Sequence, residues 1–480
     1  MWRSRLFYLI GCWILLLSAT QAVPFTIAAA LGELHAASGF LASIMVMSVI
    51  GGSLFLGFRS TPKIKVTRLT ILLPVVGGMA LAAVAGMPFF FVFPDQGLIP
   101  AFFEGMSLIT TTGSSAYEGA FEEIVSISFW RIQAAWTGGF LAICMTLSIL
   151  TAVNSGGVQL HRSPLPYGDS ETGYPRLRAV GVSVAPIYGL VTVLCCAFLM
   201  LTGLPLFDAL QFAMSTVSTT GIGPDGSNKI ESVSTQVVLA VFMVVAMLNW
   251  DIMRARLLRV KAKHPQGLES KSVLMLVGCG AAALYLLAFP GDLDGFWHSV
   301  FAAISAMSTT GFMPSELGFS VQGADAGAII LIVLACLGGA VASTTGGMKQ
   351  LRLIVIYLLA RKEVDRLAHP HGVKSLRFQA FTIERRDIEA VWLLVGAFVL
   401  MLGLGSLSLS ILGIDFQAAT AMAVSALTLS GPLITMFDPY FSGFSGLTEA
   451  DYMILSGLML LGRIEASLFL ALITRSFWRG

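Results

Sequence analysis

The chain has 480 residues, of which 56% are hydrophobic and 12% are charged, and its formal net charge at pH 7 is +2. Soluble domains carry about twice that share of charged residues, so the composition excludes a large soluble domain and indicates an integral membrane protein. Ten apolar segments are long enough to cross a bilayer. They lie near residues 6–30, 39–58, 70–93, 129–152, 180–203, 233–252, 272–290, 326–360, 388–413 and 452–474.

Basic residues predict how these segments are oriented. If the N-terminus is cytoplasmic, the outer loops carry only Arg131 and Lys229 as cationic residues and are rich in Asp and Glu. This is a positive-inside pattern, and it predicts a multi-pass protein with both termini in the cytoplasm. An acidic outer face would concentrate cations there, although acidic residues also simply keep loops soluble.

Four shorter apolar runs of about 10–14 residues lie between pairs of spans on the outer side, a length that suits a re-entrant half-helix. Each run ends in a glycine, with serine six residues earlier, an apolar residue four earlier, and hydroxyl residues three and one earlier. The four final tetrapeptides are Thr110, Thr111, Thr112 and Gly113; Ser218, Thr219, Thr220 and Gly221; Ser308, Thr309, Thr310 and Gly311; and Thr428, Leu429, Ser430 and Gly431. One copy alone is explained by a helix end with a glycine cap, whereas four equivalent copies indicate a repeated functional unit.

A fifth Ser-Thr-Thr-Gly stretch, at residues 343–346, does not match this longer template. Ala340 stands where the template requires serine, and the stretch lies inside a predicted span. The wider template therefore carries the signal, and the tetrapeptide by itself is a weak one.

The residue types of the template suit the binding of a dehydrated alkali cation. Such an ion exchanges its water oxygens for protein oxygens, and backbone carbonyls around one axis supply them where the chain is extended. Glycine permits backbone angles that turn a carbonyl inward, and the preceding half-helix aims the negative end of its dipole at the cation. Four units around one axis would form one pore, so we interpret each tetrapeptide as one quarter of an ion selectivity filter.

With these repeats, the chain resembles the Trk/Ktr/HKT superfamily of potassium transporters, and within it the bacterial TrkH-type membrane subunit. Further matching stretches are WTGGF at 136–140, STTGGMKQLR at 343–352 and LLGRIEASLF at 460–469. The resemblance implies an all-α membrane protein of about ten transmembrane helices, with four re-entrant pore loops in four pseudo-repeated helix–pore-loop–helix units around one central pore. The predicted units are an N-terminal helix pair at 1–69 and pore repeats at 70–152, 180–260, 270–362 and 386–476.

The resemblance also implies a function, which is potassium uptake across the bacterial inner membrane. The expected protein is not an enzyme, carries no covalently bound cofactor, binds no nucleic acid and contacts membrane lipid. It forms a homodimer with one pore in each protomer, and cytoplasmic TrkA-type subunits that bind ATP/ADP or NAD(H) regulate it. Glycine at all four filter positions implies passage of K⁺ and Rb⁺ in preference to Na⁺, while Leu429 and the segment after Gly431 depart from the family pattern.

Two features inside the membrane imply a gate. The segment at 326–360 is too long for one helix and is interrupted by Gly338, Gly339, Ala342, Ser343, Thr344, Thr345, Gly346, Gly347 and Lys349. Close helix packing through small residues would explain this composition, but the family has an intramembrane loop there, under the filter, that blocks the pore. Lys349 either ends that loop in the cavity or snorkels to the cytoplasmic face.

Arg463 lies in the middle of the last span, where a charge costs at least about 2.5–3.5 kcal/mol. It is interpreted as a pore charge, as the family implies, or alternatively as the partner of Glu465. Basic loops at 253–271 and 361–386 are the expected contacts of the regulatory subunits.

Three functions remain open at this point: a gated pore, a Na⁺- or H⁺-coupled potassium symporter, and a membrane-embedded enzyme. An enzyme would need converging His, Asp or Glu residues in a catalytic spacing, which the sequence does not display. Among the predicted spans we identify only Glu465 as a candidate proton relay, which favours a pore.

Overall fold

The long apolar segments fold as helices because a helix satisfies its backbone N–H and C=O groups internally, as a bilayer interior requires. The computed structural model describes residues 2–60, 67–117, 119, 124–154, 174–257, 267–288, 293–315, 324–369, 377–378, 381–382, 385–437, 441 and 443–464. Its α-helices are α1 Trp2–Thr20, α2 Ala22–Leu31, α3 Leu34–Gly57, α4 Thr67–Val92, α5 Leu98–Ile109, α6 Val125–Asn154, α7 Tyr174–Leu201, α8 Leu206–Ser218, α9 Val233–Met247, α10 Trp250–Leu257, α11 Gly267–Ala288, α12 Leu293–Met307, α13 Ala324–Leu337, α14 Gln350–Ala368, α15 Arg385–Ile411, α16 Phe416–Thr428, α17 Ile434–Phe437 and α18 Glu449–Ile464.

Short elements of other types connect these helices. One-turn 3₁₀ helices occupy Pro94–Gln96 and Gly431–Leu433. Strand β1 (Lys229–Ile230) pairs in parallel with β2 (Met313–Pro314), which joins the segments that follow α8 and α12. Strand β3 (Arg377–Phe378) pairs antiparallel with β4 (Phe381–Thr382).

The helices confirm an all-α membrane protein. Within the described residues, six helices are long and apolar enough to cross a membrane, or seven if α9 and α10 count as one bent span. The predicted spans at 129–152, 326–360 and 452–474 correspond to α6, to α13 and α14 with a break between them, and to α18, whose description ends at Ile464. Glu465 and the end of the predicted last span lie outside the described residues.

The four short apolar runs form α5, α8, α12 and α16, which are 12 to 15 residues long. Each packs against the long helix before it (α4, α7, α11 and α15) and against a helix after it (α6, α9, α13 and α18). Their C-terminal ends are buried, whereas large apolar side chains on the long helices, such as Leu201 and Leu286, are exposed in the monomer. The short helices therefore lie inside a layer of longer ones, and their ends define the centre of the molecule.

The predicted span at 233–252 is not one straight helix. Helix α9 ends at Met247, and α10 runs on at 96° to it. Asn249 causes the new start, because its Oδ1 accepts hydrogen bonds from the N–H groups of Asp251 and Ile252, at 3.0 and 3.2 Å. Asparagine is a favoured N-cap residue, so the sequence of this predicted span already contained a signal for a new helix start.

Candidate functional site: a ring of four helix ends

The four short helices end with the same backbone conformation. The residue two positions before each template glycine is left-handed, with φ of 61° at Thr111, 59° at Thr219, 56° at Thr309 and 60° at Leu429. The next residue donates its N–H to the carbonyl of the template serine at 2.7–3.0 Å in all four copies. This long hydrogen bond closes a Schellman motif. The cap residue is therefore threonine or leucine and not glycine, and the chain is not extended through the whole tetrapeptide as the sequence predicted.

The left-handed cap is costly for these residue types. A residue with a Cβ atom loses roughly 1–2 kcal/mol in that conformation, and threonine is branched at that atom. Backbone strain of this kind clusters at ligand sites and switches. This strained conformation occurs at four equivalent positions. It therefore identifies the helix ends as a candidate ligand site more clearly than the tetrapeptide sequence does.

The two hydroxyl columns of the template bind each other. The side-chain oxygens lie 2.8 Å apart in the pair Thr110–Thr112, 2.7 Å in Ser218–Thr220, 2.7 Å in Ser308–Thr310 and 2.6 Å in Thr428–Ser430. In the first, second and fourth copies the earlier hydroxyl donates to the helix carbonyl four residues before it, and in the third to the carbonyl three before. The later hydroxyl therefore donates to the earlier one. Because the residue between them takes no part in this relay, Leu429 replaces threonine without breaking it.

The template serine ties the segment after the glycine back to the helix. Ser107 Oγ donates to Ser114 O at 2.7 Å, while Ser215 Oγ accepts from Ile222 N at 2.9 Å. Ser305 Oγ accepts from Gly311 N at 3.1 Å. Within the described residues Ser425 Oγ has no hydrogen-bond partner. The residue after the fourth glycine is Pro432, which has no N–H to donate.

The four segments meet in a closed ring, as the surroundings of their glycines demonstrate. A methyl group on Gly113 would lie 2.3 Å from Thr220 O, and one on Gly221 would lie 1.9 Å from Thr310 O. A methyl group on Gly311 would lie 2.8 Å from Pro432 Cβ, and Gly431 N donates to Thr112 O at 2.7 Å. Each copy thus contacts the next one in chain order, and the fourth returns to the first.

A cavity of about 730 Å³ opens on one side of this ring, lined by the glycines of the first, second and fourth copies. Asp225 and Arg131 also line it. Asn228 reaches across it, and its Nδ2 donates to Gly311 O at 2.9 Å and to Pro432 O at 3.0 Å. The Gly311 carbonyl therefore accepts a hydrogen bond from a side-chain amide.

Residues 338–349, between α13 and α14, lie against the ring from the side of the helix ends. Gly346 N donates to the Oγ1 atom of the left-handed Thr309 at 2.9 Å. A methyl group on Gly346 would lie 1.8 Å from Thr428 O. The segment is buried except at Gly347 and Met348, which are half-buried, and only glycine fits where it touches the fourth copy. It also closes the gap left by the bend between α9 and α10, since Ala340 N donates to Met247 O at 2.9 Å.

Comparison with known proteins assigns the chain to a family. A sequence model of the TrkH cation transport proteins matches residues 86–290 and 292–476, which is most of the chain. The chain belongs to the TrkH family. This assignment confirms that it is a transport protein and not an enzyme.

Relatives over the full length agree with the family assignment. The Trk system potassium uptake protein TrkH of Salmonella typhimurium is 27% identical over 485 residues, covering 98% of both chains. The corresponding TrkH protein of Escherichia coli K12 is 27% identical and TrkG of the same strain is 24% identical, each with the same coverage. The crystal structure of the potassium transporter TrkH from Vibrio parahaemolyticus superposes with a TM-score of 0.84 at 23% identity, covering 100% of both chains. This likeness establishes that the chain has the TrkH fold.

In this TrkH-family chain the two predicted intramembrane cations both contact residues 338–349. Arg463 Nη1 donates to Thr344 O at 2.7 Å. Lys349 is 7% exposed and its Nζ donates to Thr345 O, so the lysine does not snorkel to the surface. Predicted pairing of Arg463 with Glu465 cannot be described, because Glu465 lies outside the described residues.

The sequence analysis missed a buried ion pair behind the first filter segment. Glu104 Oε1 lies 2.8 Å from Arg131 Nε, with side-chain exposures of 0% and 3%. The other carboxylate oxygen accepts from Ser115 Oγ at 2.9 Å and Ala116 N at 3.0 Å. Glu104 lies on α5 and Arg131 on α6, 27 positions apart, and no spacing rule connects them. The available sequence signal for this ion pair was one charged residue in each of two otherwise apolar helices.

Buried acids are more numerous than the sequence analysis predicted. Glu104, Asp251, Glu269 and Asp451 are all buried. The identification of Glu465 as the sole candidate relay is therefore wrong. Asp251 lies near the end of the predicted span 233–252, after the helix break, and Glu269 lies in the first turn of α11, outside the predicted span 272–290.

Proposed function

We propose that this chain is the pore-forming subunit of a potassium uptake system, passing K⁺ and Rb⁺ in preference to Na⁺ through the ring of four helix ends. The observation that carries the proposal is ring closure, because each template glycine contacts the next copy and the fourth contacts the first. Relatives along the full length are named as potassium uptake proteins.

The arrangement suits a cation that has lost water. Four helix C-termini point at one place, and each contributes the negative end of a helix dipole. The hydroxyls of each tetrapeptide satisfy one another, so fewer backbone carbonyls are consumed by the protein itself. Carbonyls freed at helix ends are the ligands that replace water around K⁺ in selectivity filters. The proposed ion ligands lie at 110–113, 218–221, 308–311 and 428–431.

Residues 338–349 are the proposed gate. They lie directly against Thr309 and Thr428 and are buried without regular helix. Irregular backbone at this depth is tolerated where it lines a cavity or is covered by protein. Arg463 would add a positive charge next to the ion path, which lowers cation occupancy. Opening then requires the segment to leave the ring.

Other parts of the proposal concern organisation. Four pore repeats at 70–152, 180–260, 270–362 and 386–476 would follow an N-terminal pair at 1–69, and both termini would face the cytoplasm of a bacterial cell with an inner membrane. A homodimer and TrkA-type regulatory subunits carrying the nucleotide are also proposed. Of the two basic loops expected to bind those subunits, the structure describes residues 253–257, 267–271, 361–369, 377–378, 381–382 and 385–386, and the rest lies outside the described residues.

The test is cation flux into proteoliposomes under an imposed voltage, with K⁺, Rb⁺, Na⁺ and Li⁺ compared for wild type and Gly113→Ser. Serine at this position would crowd Thr220 O at a φ of +83°. The matched control is Gly32→Ser, which has a similar φ of +77° with nothing within 4 Å. We expect wild-type and control flux selective for K⁺ and Rb⁺, with selectivity lost in Gly113→Ser.

Absence of flux is interpreted only after the regulatory partner and ATP are added, since a closed gate also stops flux. A wild-type complex that still passes no K⁺ would refute the pore. Equal effects of the two substitutions would refute the filter role of Gly113.

A coupled symporter is the second candidate, supported by a buried acid. Glu269 is 6% exposed, and its Oε2 has no hydrogen-bond partner within the described residues. Flux driven by a pH gradient, at equal K⁺ on both sides and zero voltage, distinguishes the two. If K⁺ accumulates and Glu269→Gln abolishes the accumulation, proton coupling is established. If no K⁺ accumulates, the uncoupled pore is the supported function.

A further inference from the structure

The stretch at 343–346, which the longer template rejected, has the side-chain geometry of a filter copy. Ser343 Oγ and Thr345 Oγ1 lie 2.7 Å apart, within the 2.6–2.8 Å seen in the four filter segments. Ser343 Oγ donates to Ala340 O at 2.6 Å, as the earlier hydroxyl of a filter copy donates back to its helix. A left-handed residue, Ala342 with φ 58°, also occurs here, but it precedes both hydroxyl residues, whereas in the filter copies it lies between them. No helix leads into this copy, because α13 ends at Leu337.

The oxygens of this fifth copy already bind positive charge. Lys349 Nζ donates to Thr345 O and lies 3.2 Å from Thr345 Oγ1 and 3.4 Å from Ser343 Oγ. The preceding carbonyl, Thr344 O, accepts from Arg463. All three loop residues are at most 3% exposed. Two consecutive carbonyls and two hydroxyls, the groups proposed to hold K⁺ in the ring, are thus occupied by an ammonium and a guanidinium.

We propose that residues 343–346 form a fifth monovalent-cation site, which the ammonium of Lys349 occupies as a tethered cation in this conformation. The inference rests on the proposed function of the four filter segments. An ammonium group is a compact charge with rotatable donors on a flexible four-carbon stem, so it can enter and leave a cradle built for a small ion. K⁺ and Lys349 then compete for the same oxygens.

This competition provides an interaction that stabilises the closed conformation of the gate segment. While Lys349 is seated, its charge holds 343–345 together beneath the ring and excludes a second cation. When it withdraws, the hydroxyls of Ser343 and Thr345 still bind each other, Ala340 O and Gly339 N, but the buried carbonyl Thr345 O loses the ammonium donor, which is unfavourable. A permeating ion can take the place of the ammonium at Thr345 O, so the open segment becomes an additional cation-binding site next to the filter.

The test is anomalous diffraction from crystals of the full chain grown in RbCl. The variants are wild type, Lys349→Met, which keeps the side-chain length without a donor, and Lys349→Arg, which keeps the charge. We expect a rubidium peak bounded by Thr345 O, Thr345 Oγ1 and Ser343 Oγ in Lys349→Met alone. If that variant does not fold, Lys349→Gln is used with the same expected peak.

Peaks in the four-copy ring serve as the internal standard. Crystals without ring peaks in any variant would refute the proposed function. Ring peaks without a loop peak in the uncharged variant would overturn the fifth site alone, as would a loop peak in wild type beside a seated Lys349. In solution, the uncharged variant is expected to bind one more Tl⁺ than wild type, and adding Thr345→Val should remove that extra ion; equal stoichiometry would contradict the inference.

Discussion

The buried pair Glu104–Arg131 provides a direct test of how the first filter segment is held. Replacing Glu104 by Ala removes the 2.8 Å contact to the Arg131 guanidinium, whose side chain is 3% exposed. It also removes the acceptor of Ser115 Oγ and Ala116 N, two and three residues after Gly113. Breaking one side of a buried ion pair costs about 3–5 kcal/mol, and hydrogen bonds to a charged acceptor contribute about 1.5–3 kcal/mol each.

These contributions overlap, so we expect a loss of about 3–5 kcal/mol of stability for Glu104→Ala. The double variant Glu104→Met with Arg131→Met should lose much less, because removing both charges from a buried pair is often near neutral. The assay is thermal unfolding of the purified protein in detergent, with Rb⁺-over-Na⁺ selectivity measured on the same samples. Selectivity should fall in both variants, since both lose the carboxylate that holds residues 115 and 116.

Two results would refute the reasoning. A Glu104→Ala variant with wild-type stability would mean that the pair does not support the fold. A double variant as unstable as the single one would mean that packing or the lost hydrogen bonds to residues 115 and 116, and not the broken ion pair, explain the loss.

Three further predictions concern other parts of the site. Arg463→Met should raise Rb⁺ flux several-fold by removing a positive charge that binds the gate segment and repels cations, and flux equal to wild type would contradict that role. Ser215→Ala should cost about 1–3 kcal/mol because it leaves a buried backbone donor unpaired, whereas Ser425→Ala should cost less, and equal melting temperatures would refute the difference. Asp225→Asn should slow K⁺ entry at low ionic strength and have little effect at high salt, because screening removes the attraction of an exposed carboxylate at the cavity, and a salt-independent effect would point to a structural role instead.

The helical architecture could be predicted from the sequence because lipid restricts the choices. A backbone inside a bilayer must satisfy its own hydrogen bonds, so long apolar segments predict long helices and shorter ones predict re-entrant helices. The four short runs form the helices that end at Ile109, Ser218, Met307 and Thr428. The break after Leu337 was also predictable, since its glycines and hydroxyl residues do not suit a continuous span.

The conformation of the helix ends could not be predicted in the same way. A glycine cap would explain one copy taken alone, but in the structure Thr111 and its three counterparts hold the left-handed cap position. Propensity argues against threonine in a left-handed position, and only contacts with neighbouring copies can hold it there. The relay between hydroxyls also explains a feature that the sequence left open, namely why Leu429 is acceptable at its position.

What the sequence by itself determined is the set of local choices: which segments are helical, which end in a hydroxyl-rich turn, and how often that turn occurs. Tertiary structure alone decided which groups meet. Glu104 forms an ion pair with Arg131, Asn228 donates hydrogen bonds to two filter segments, and Lys349 donates one to Thr345. The physical reason is that hydropathy and periodicity act over a few residues, whereas the pairing of a buried charge depends on which distant group the packing brings within hydrogen-bond distance.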